Sequence, residues 1–292
     1  MSTINKVPAG AGAEWLLGAF ALIRKAPLAL ASLGLVWGLL TLIPMQAMAL
    51  NVTLGLVLQF ALALLGPFLF AGMLWAVRDL DEGKTASPAH LLREMRSDRA
   101  LDLLITLLPQ VAAILVLGLL LIVMIGPSEL QHLAEVIAKL QETAQAGGQP
   151  DPELVRTLPV GRMLLWVLML IAAAVVMSLV TFVAVPGIVF GGKGGLAAMQ
   201  DSFRACLHNL LAILVFYVLL FIALFALSIG IQLLAMVVQL AAGPAAGMVV
   251  SNLLLMAVLM PVMAGSVYYA WRQMLGGGVA VDPAVMPTHF EA

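Results

Sequence analysis

The sequence predicts an all-α, polytopic membrane protein of six spans, and three observations carry that reading. Four stretches, 26–77, 103–128, 163–192 and 205–271, contain no Asp, Glu, Lys or Arg. They are 52, 26, 30 and 67 residues long. A membrane-crossing helix needs about 20 mainly apolar residues, so the two long stretches hold a pair of spans each and the short ones hold one. The chain is also 63% hydrophobic and 10% charged, against about 25% charged in soluble domains. No soluble core of this size buries so many apolar side chains, so lipid must cover much of the surface. Finally, the basic residues concentrate in alternate connecting segments, on one of the two sides that six spans define.

Taking the elements in order, 13–25 has helical apolar spacing: Trp15, Ala19 and Ile23 share a face, with Leu16 and Phe20 alongside. Glu14, Arg24 and Lys25 interrupt it, and the apolar run that follows is too long for a cleavable signal, so the first span is expected to stay in the membrane. Charges and helix breakers place the spans at 27–48, 52–77, 103–125, 163–190, 209–240 and 248–272. Some exceed the bilayer thickness and must tilt, kink or protrude. Eleven of the 14 basic residues then fall on one side, against Lys139, Arg156 and Arg162 on the other. The positive-inside rule puts both termini in the cytoplasm.

Before the third span, Ser87-Pro88 is an N-cap and N1 pair, followed by Leu91, Leu92 and Met95. Before the fifth, Leu196, Met199, Phe203 and Leu207 recur every three or four residues. Each even span carries Pro and then Gly four or five residues later: Pro67 and Gly72, Pro186 and Gly191, Pro261 and Gly265. The chain thus reads as three tandem units, each an interfacial helix and a helical hairpin, at 13–77, 87–192 and 195–272, with a tail at 273–292. The Pro–Gly pairs are read as kinks and close packing, or as helix hinges. Unit two carries an extracytoplasmic insertion, 127–160, that opens with Pro127 and the capping box Ser128-Glu-Leu-Gln131. Leu130, Leu133, Ile137, Leu140 and Ala144 then mark an amphipathic helix, stopped by Gly147-Gly148.

The functional reading is mostly one of exclusion. Near-zero net charge argues against a nucleic-acid partner. The single cysteine, Cys206, excludes an intramolecular disulfide and a cysteine-built zinc site, and the four histidines are scattered. No catalytic residue, cofactor or metal is expected. Asp79, Asp81 and Glu82 read as a hydrophilic turn with no histidine nearby in sequence, while Asp201 and Arg204 suit an i,i+3 ion pair. Cys206 and His208 are two apart and face different sides of a helix.

Within the spans the polar groups are mild. Gln59, Gln110 and Gln232 are candidates for a polar path, although such residues usually join helices by hydrogen bonds. No intramembrane charge offers a proton relay. At the membrane surface, Arg78, Lys84, Arg93, Arg96 and Arg99 form the densest basic cluster, where topology and attraction to anionic lipid are the common roles. Gly191-Gly-Lys-Gly-Gly195 precedes a helix and reads as a turn or, with Lys193 and Arg204, as a lipid-phosphate contact. It lacks the Walker pattern.

The Trp15, Phe20, Arg24-Lys25-x-Pro27 start, the Pro67/Gly72 and Pro261/Gly265 ends and the three units resemble poorly characterised bacterial six-span inner-membrane proteins. These are related to the YciC-like family and to the membrane domain beside some glycerophosphodiester phosphodiesterases. The resemblance covers most of the chain except 127–160, implies a bacterial cytoplasmic membrane, and supplies no catalytic residues. The expected function is a non-enzymatic inner-membrane protein that binds or organises lipids or partner membrane proteins, including further copies of itself. The alternative is a transporter or flippase for a small or lipidic solute.

Overall fold

The computed structural model describes residues 4–145 and 158–276. Among these residues every regular element is a helix, and six helices or broken helices are long and apolar enough to cross a membrane. The protein is therefore a multi-pass helical membrane protein. The chain divides into two compact units, one being Leu107–Ser178 and the other the remainder.

In the larger unit, α1 (Ala11–Lys25) leads into α2 (Pro27–Leu50) and α3 (Val52–Asp81). The α2–α3 turn is Asn51 alone, whose Oδ1 accepts from the Leu54 N–H at 3.0 Å. A 3₁₀ helix (Pro88–Arg96) and the short α4 (Ala100–Ile105) follow. The chain re-enters this unit at the end of α7 (Val160–Thr181) and continues through α8 (Ala184–Val189), α9 (Gly195–His208), α10 (Leu210–Ala242) and α11 (Pro244–Met274). Gly243, at φ +89°, is the single residue between α10 and α11. A side chain there would strain the backbone.

Close helix approach organises this unit. A Cβ on Gly12 would fall 2.7 Å from the Phe216 backbone N, and one on Gly34 2.7 Å from Ala257 Cα. Three further contacts fall at the charged ends of the even spans. Gly72 faces the 3₁₀ helix, a Cβ there lying 2.5 Å from Leu91 Cα; Gly265 faces Ala19 of α1; Gly187 faces Ala198 of α9. The core around them is aromatic, with Trp15, Phe182 and Phe216 in mutual ring contact at 5.5–6.2 Å.

Helix α1 does more than lie at an interface. Trp15 and Ala19 are fully buried, and Trp15 Nε1 donates to Gln273 Oε1 at 2.7 Å. The expected stripes of the other two flanking helices are corrected. Residues 88–96 wind as a 3₁₀ helix with three residues per turn, so Leu91 and Glu94 face inward while Leu92 and Met95 are exposed. In α9 the buried face is Gly195, Ala198, Met199, Ser202, Ala205 and Cys206; Leu196 and Leu207 point outward. Met199 and the half-buried Phe203 of the expected stripe do pack inward, but small residues allow close packing and large apolar ones suit lipid, so the buried face is turned toward the small residues.

Of the proline-bearing spans, α3 and α11 run through Pro67 and Pro261 without interruption. The fourth span breaks at Phe182-Val183, just ahead of Pro186. Ser202 repairs that break: its Oγ donates to Leu179 O at 2.9 Å and accepts from the Val183 N–H at 3.1 Å. The third span breaks likewise at Thr106-Leu107, before Pro109.

The smaller unit holds α5 (Leu108–Ile125), α6 (Pro127–Gln145) and most of α7. Trp166 Nε1 donates to Leu117 O at 3.2 Å. Gly126, at φ +91°, is the single residue joining α5 to α6. The amphipathic helix thus starts at Pro127, placing Ser128 inside its first turn instead of at its cap. Its inward residue is Val136, 1% exposed, whereas Ile137 is 46% exposed, a one-residue correction to the stripe. The Gly147-Gly148 stop, Arg156 and most of the 273–292 tail lie outside the described residues.

Candidate functional site

The basic segments meet at one end of the larger unit and form a connected polar layer. Asn209, 3% exposed, accepts from the Val7 N–H at 2.8 Å and donates to Asn5 O at 3.0 Å, and the Asn5 N–H donates to Met274 O at 2.9 Å. The N-terminus, the α9–α10 junction and the end of α11 are thereby joined. Asp102 Oδ1 accepts from the Gly195 N–H at 2.8 Å, so the N-terminus of α9 is capped by the protein's own carboxylate. Lys193 pairs with Asp201 at 2.5 Å. The helix N-terminus and Lys193 at the Gly191–Gly195 loop are therefore engaged internally, which leaves Arg204 as the exposed cation of that candidate contact.

The remaining candidate headgroup residues divide by partner. Arg99 donates to the carbonyls of Ile188, at 2.6 Å, and Val189 at the end of α8, satisfying carbonyls that have no helical partner. Arg93 stacks over Trp75 with its Cζ 3.8 Å from the ring centroid and lies 3.6 Å from Asp79. Asp79 also accepts from His90, Nε2 to Oδ2 3.0 Å, correcting the reading of a turn without a histidine partner; the Ser87 N–H points at Nδ1 from 3.2 Å. Arg204 is exposed, and the Arg96 side chain lies outside the described residues. Glu94 is 6% exposed; its Oε1 accepts from Trp75 Nε1 at 2.6 Å and its Oε2 has no partner among the described residues.

A cleft of about 330 Å³ opens where α3 and α11 end, lined by Arg78, Asp81, Glu82, Phe190, Tyr268, Trp271, Arg272 and Gly276. Asp81 is its hub, accepting from Tyr269 at 2.8 Å, Tyr268 at 3.1 Å and Arg272. Arg78 Nε donates to Glu82 Oε1 at 2.7 Å, and Lys84 Nζ donates to Glu82 Oε2 at 2.5 Å. Those two bonds, Lys84's first, hold the Glu82 carboxyl down at about 2, so it is ionised at any physiological pH. The Arg78 guanidinium lies over Phe190 at 5.1 Å.

Sequence reading singled out Arg78 but passed over Arg272, Tyr268 and Trp271, and saw Asp81 only as part of a turn. The run Tyr268-Tyr-Ala-Trp-Arg272 at a span end was the available signal, since aromatic residues and arginine anchor membrane interfaces.

Within the spans, Gln59, Gln110 and Gln232 are all exposed, so none lines an enclosed path inside its own unit. Gln232 shares an open groove of about 460 Å³ along α10 with Ser228 and Gln239. Gly72 and Gly265 occupy packing contacts, and Gly191 lies against the Gly187 backbone.

Cys206 is buried, and burial pushes its thiol up to about 12, whereas His208 is exposed. The folded protein favours the protonated thiol, so this contribution to stability is complete below the ordinary thiol range. It is lost as pH rises from about 9 toward 12. Cys206 is the only cysteine, which makes the expectation direct. A thiol reagent at pH 8 labels native protein far more slowly than denatured protein; equal rates would show the thiol to be accessible.

Fold and polar layer together define a polytopic helical membrane protein with a charged, interlocked end. No family model, curated protein or solved structure matches the chain.

Proposed function

We propose that the protein binds and organises lipid in a bacterial inner membrane, as a non-enzymatic multi-pass protein with both termini cytoplasmic. One observation carries the reading. Only 6% of the most apolar stretch in each of the third and fourth spans is buried. Such surface needs lipid or another membrane protein to cover it. The lopsided distribution of basic residues supports the cytoplasmic orientation, and the short resemblance motifs support the inner membrane. The Gly72 and Gly265 contacts, each receiving a flanking helix, support the reading of tandem units, whereas Gly191 packs on the Gly187 backbone of its own span. Purified in mild detergent, the protein is expected to retain lipid in native mass spectrometry. A lipid-free monomer would refute the reading, and a reproducible protein partner or a second copy without lipid would reassign the apolar surface to protein.

A second reading has its own support. The Ser228, Gln232 and Gln239 groove gives the outer face of α10 a polar track along which a lipidic solute could cross. Proteoliposomes should then show flux that falls when Gln232 becomes leucine; no flux for any lipid or solute class removes this alternative.

A further inference from the structure

We propose that the cleft between the ends of α3 and α11 binds a phosphate-bearing anion, in the membrane the headgroup of an acidic phospholipid; this rests on the lipid-binding reading above and names its ligand class. The argument is a count of what the cleft has left to offer. Each oxygen of Glu82 already accepts from a cation, Oε1 from Arg78 and Oε2 from Lys84. Asp81 already accepts from two tyrosine hydroxyls and Arg272. The donors are not exhausted. Arg78 uses only Nε and Arg272 only Nη1, leaving both Nη groups of the first and the Nη2 and Nε of the second. A guanidinium has no acceptor, so an anionic oxygen ligand is what this cleft can satisfy.

Phosphate fits the arrangement. Two planar guanidinium forks on one cleft suit its tetrahedral oxygens, and charge-assisted bonds of this kind are the strong ones. The charged lining residues, Arg78 and Arg272 against Asp81 and Glu82, cancel, so what the cleft offers an anion is its unused guanidinium donors. The carboxylates hold the arginines in place, so a ligand need not order them. Phe190, Tyr268 and Trp271 line the same cleft, with Phe190 and Trp271 centroids 5.4 Å apart; such rings sit at headgroup level. A volume of about 330 Å³ is at the small end of ligand pockets, roughly 300–1,000 Å³, which accommodates a headgroup and leaves acyl chains along the spans.

The test titrates full-length protein in mild detergent with phosphatidylglycerol, phosphatidylcholine and inorganic phosphate, read by native mass spectrometry. Wild-type protein is expected to prefer phosphatidylglycerol, and Arg78→Gln to weaken that binding about tenfold, ~1.4 kcal/mol. Lys25→Gln, an exposed charge outside the cleft, should leave it unchanged. Glu82→Gln removes a competitor for Arg78 and should tighten it. Equal losses in Arg78→Gln and Lys25→Gln, or none in Arg78→Gln, overturn the proposal. Should Arg78→Gln fail to fold, Glu82→Gln decides: unchanged or weaker binding overturns it. Arg78-dependent binding of inorganic phosphate without phosphatidylglycerol upholds the anion site and assigns it to free phosphate. Lipid retention without Arg78 dependence removes the cleft but keeps the broader reading, whereas protein that holds no lipid or anion removes both.

Discussion

Replacing Gly72 by alanine is expected to destabilise the protein by about 1–3 kcal/mol, the usual cost of overpacking a tight contact, whereas Gly230→Ala is expected to stabilise it by up to about 1 kcal/mol. The same methyl group has opposite effects because its surroundings differ. At Gly72 the new Cβ would lie 2.5 Å from Leu91 Cα and 2.9 Å from the His90 carbonyl carbon, both backbone atoms that cannot rotate away. The 3₁₀ helix must move out. With it move the His90–Asp79 and Glu94–Trp75 hydrogen bonds. At Gly230 nothing lies within 4 Å, so only the helix preference of alanine over glycine remains. Denaturation midpoints of both variants in one detergent check this. A Gly72→Ala protein as stable as wild type would mean that the 3₁₀ helix yields freely, and that this contact does not set the position of the charged end.

The spans were legible because the signal is energetic and coarse. Each charge in the bilayer is costly, so the charge-free stretches had to be the crossings, and the observed helices begin and end within a few residues of them. Which face of a helix turns inward was less legible. The Leu196, Met199, Phe203 and Leu207 stripe was half right: Met199 is buried and Phe203 half-buried, but Leu196 and Leu207 face outward, since lipid makes large apolar side chains good surface and small ones good core. The buried face is turned from the stripe toward Ala198, Ser202 and Ala205. In 88–96 the error was one of pitch: α-helical spacing links Leu91 to Met95, but three residues per turn bring in Glu94.

The candidate site was legible only in part, for a different reason. Its cations could be counted, but their partners are distant in sequence. Arg99 is bonded to carbonyls 89 and 90 residues away, and Asp102 caps a helix 93 residues on. Ser202 closes the break before Pro186 through bonds to residues 19 and 23 positions away, and nothing in its sequence neighbourhood marks it for that role. The Pro186 break itself implied that some neighbour must satisfy the freed groups, though not which one.

Asp81→Asn is expected to be more damaging than Arg272→Met, although each removes one member of the same ion pair. Asp81 has three donors, and the Tyr268 and Tyr269 hydroxyls remain to satisfy it when Arg272 is lost. Arg272 has one carboxylate, and when that is neutral its guanidinium stays half-buried without a counter-charge. Removing one partner of a fully buried pair costs about 3–5 kcal/mol. With side chains 19% and 25% exposed, solvent reduces this to roughly 2–3 kcal/mol for Asp81→Asn and about 1–2 kcal/mol for Arg272→Met. The double variant should cost less than the two together, because the second change removes a charge that the first left stranded. Asp81 ends the second span and Arg272 lies in the last turn of the sixth, so their coupling energy measures how firmly first and last thirds of the chain are joined. Denaturation midpoints of the four proteins give that energy directly. Strict additivity would show that the carboxylate and the guanidinium act independently, and that the cleft they share is held open by helix packing alone.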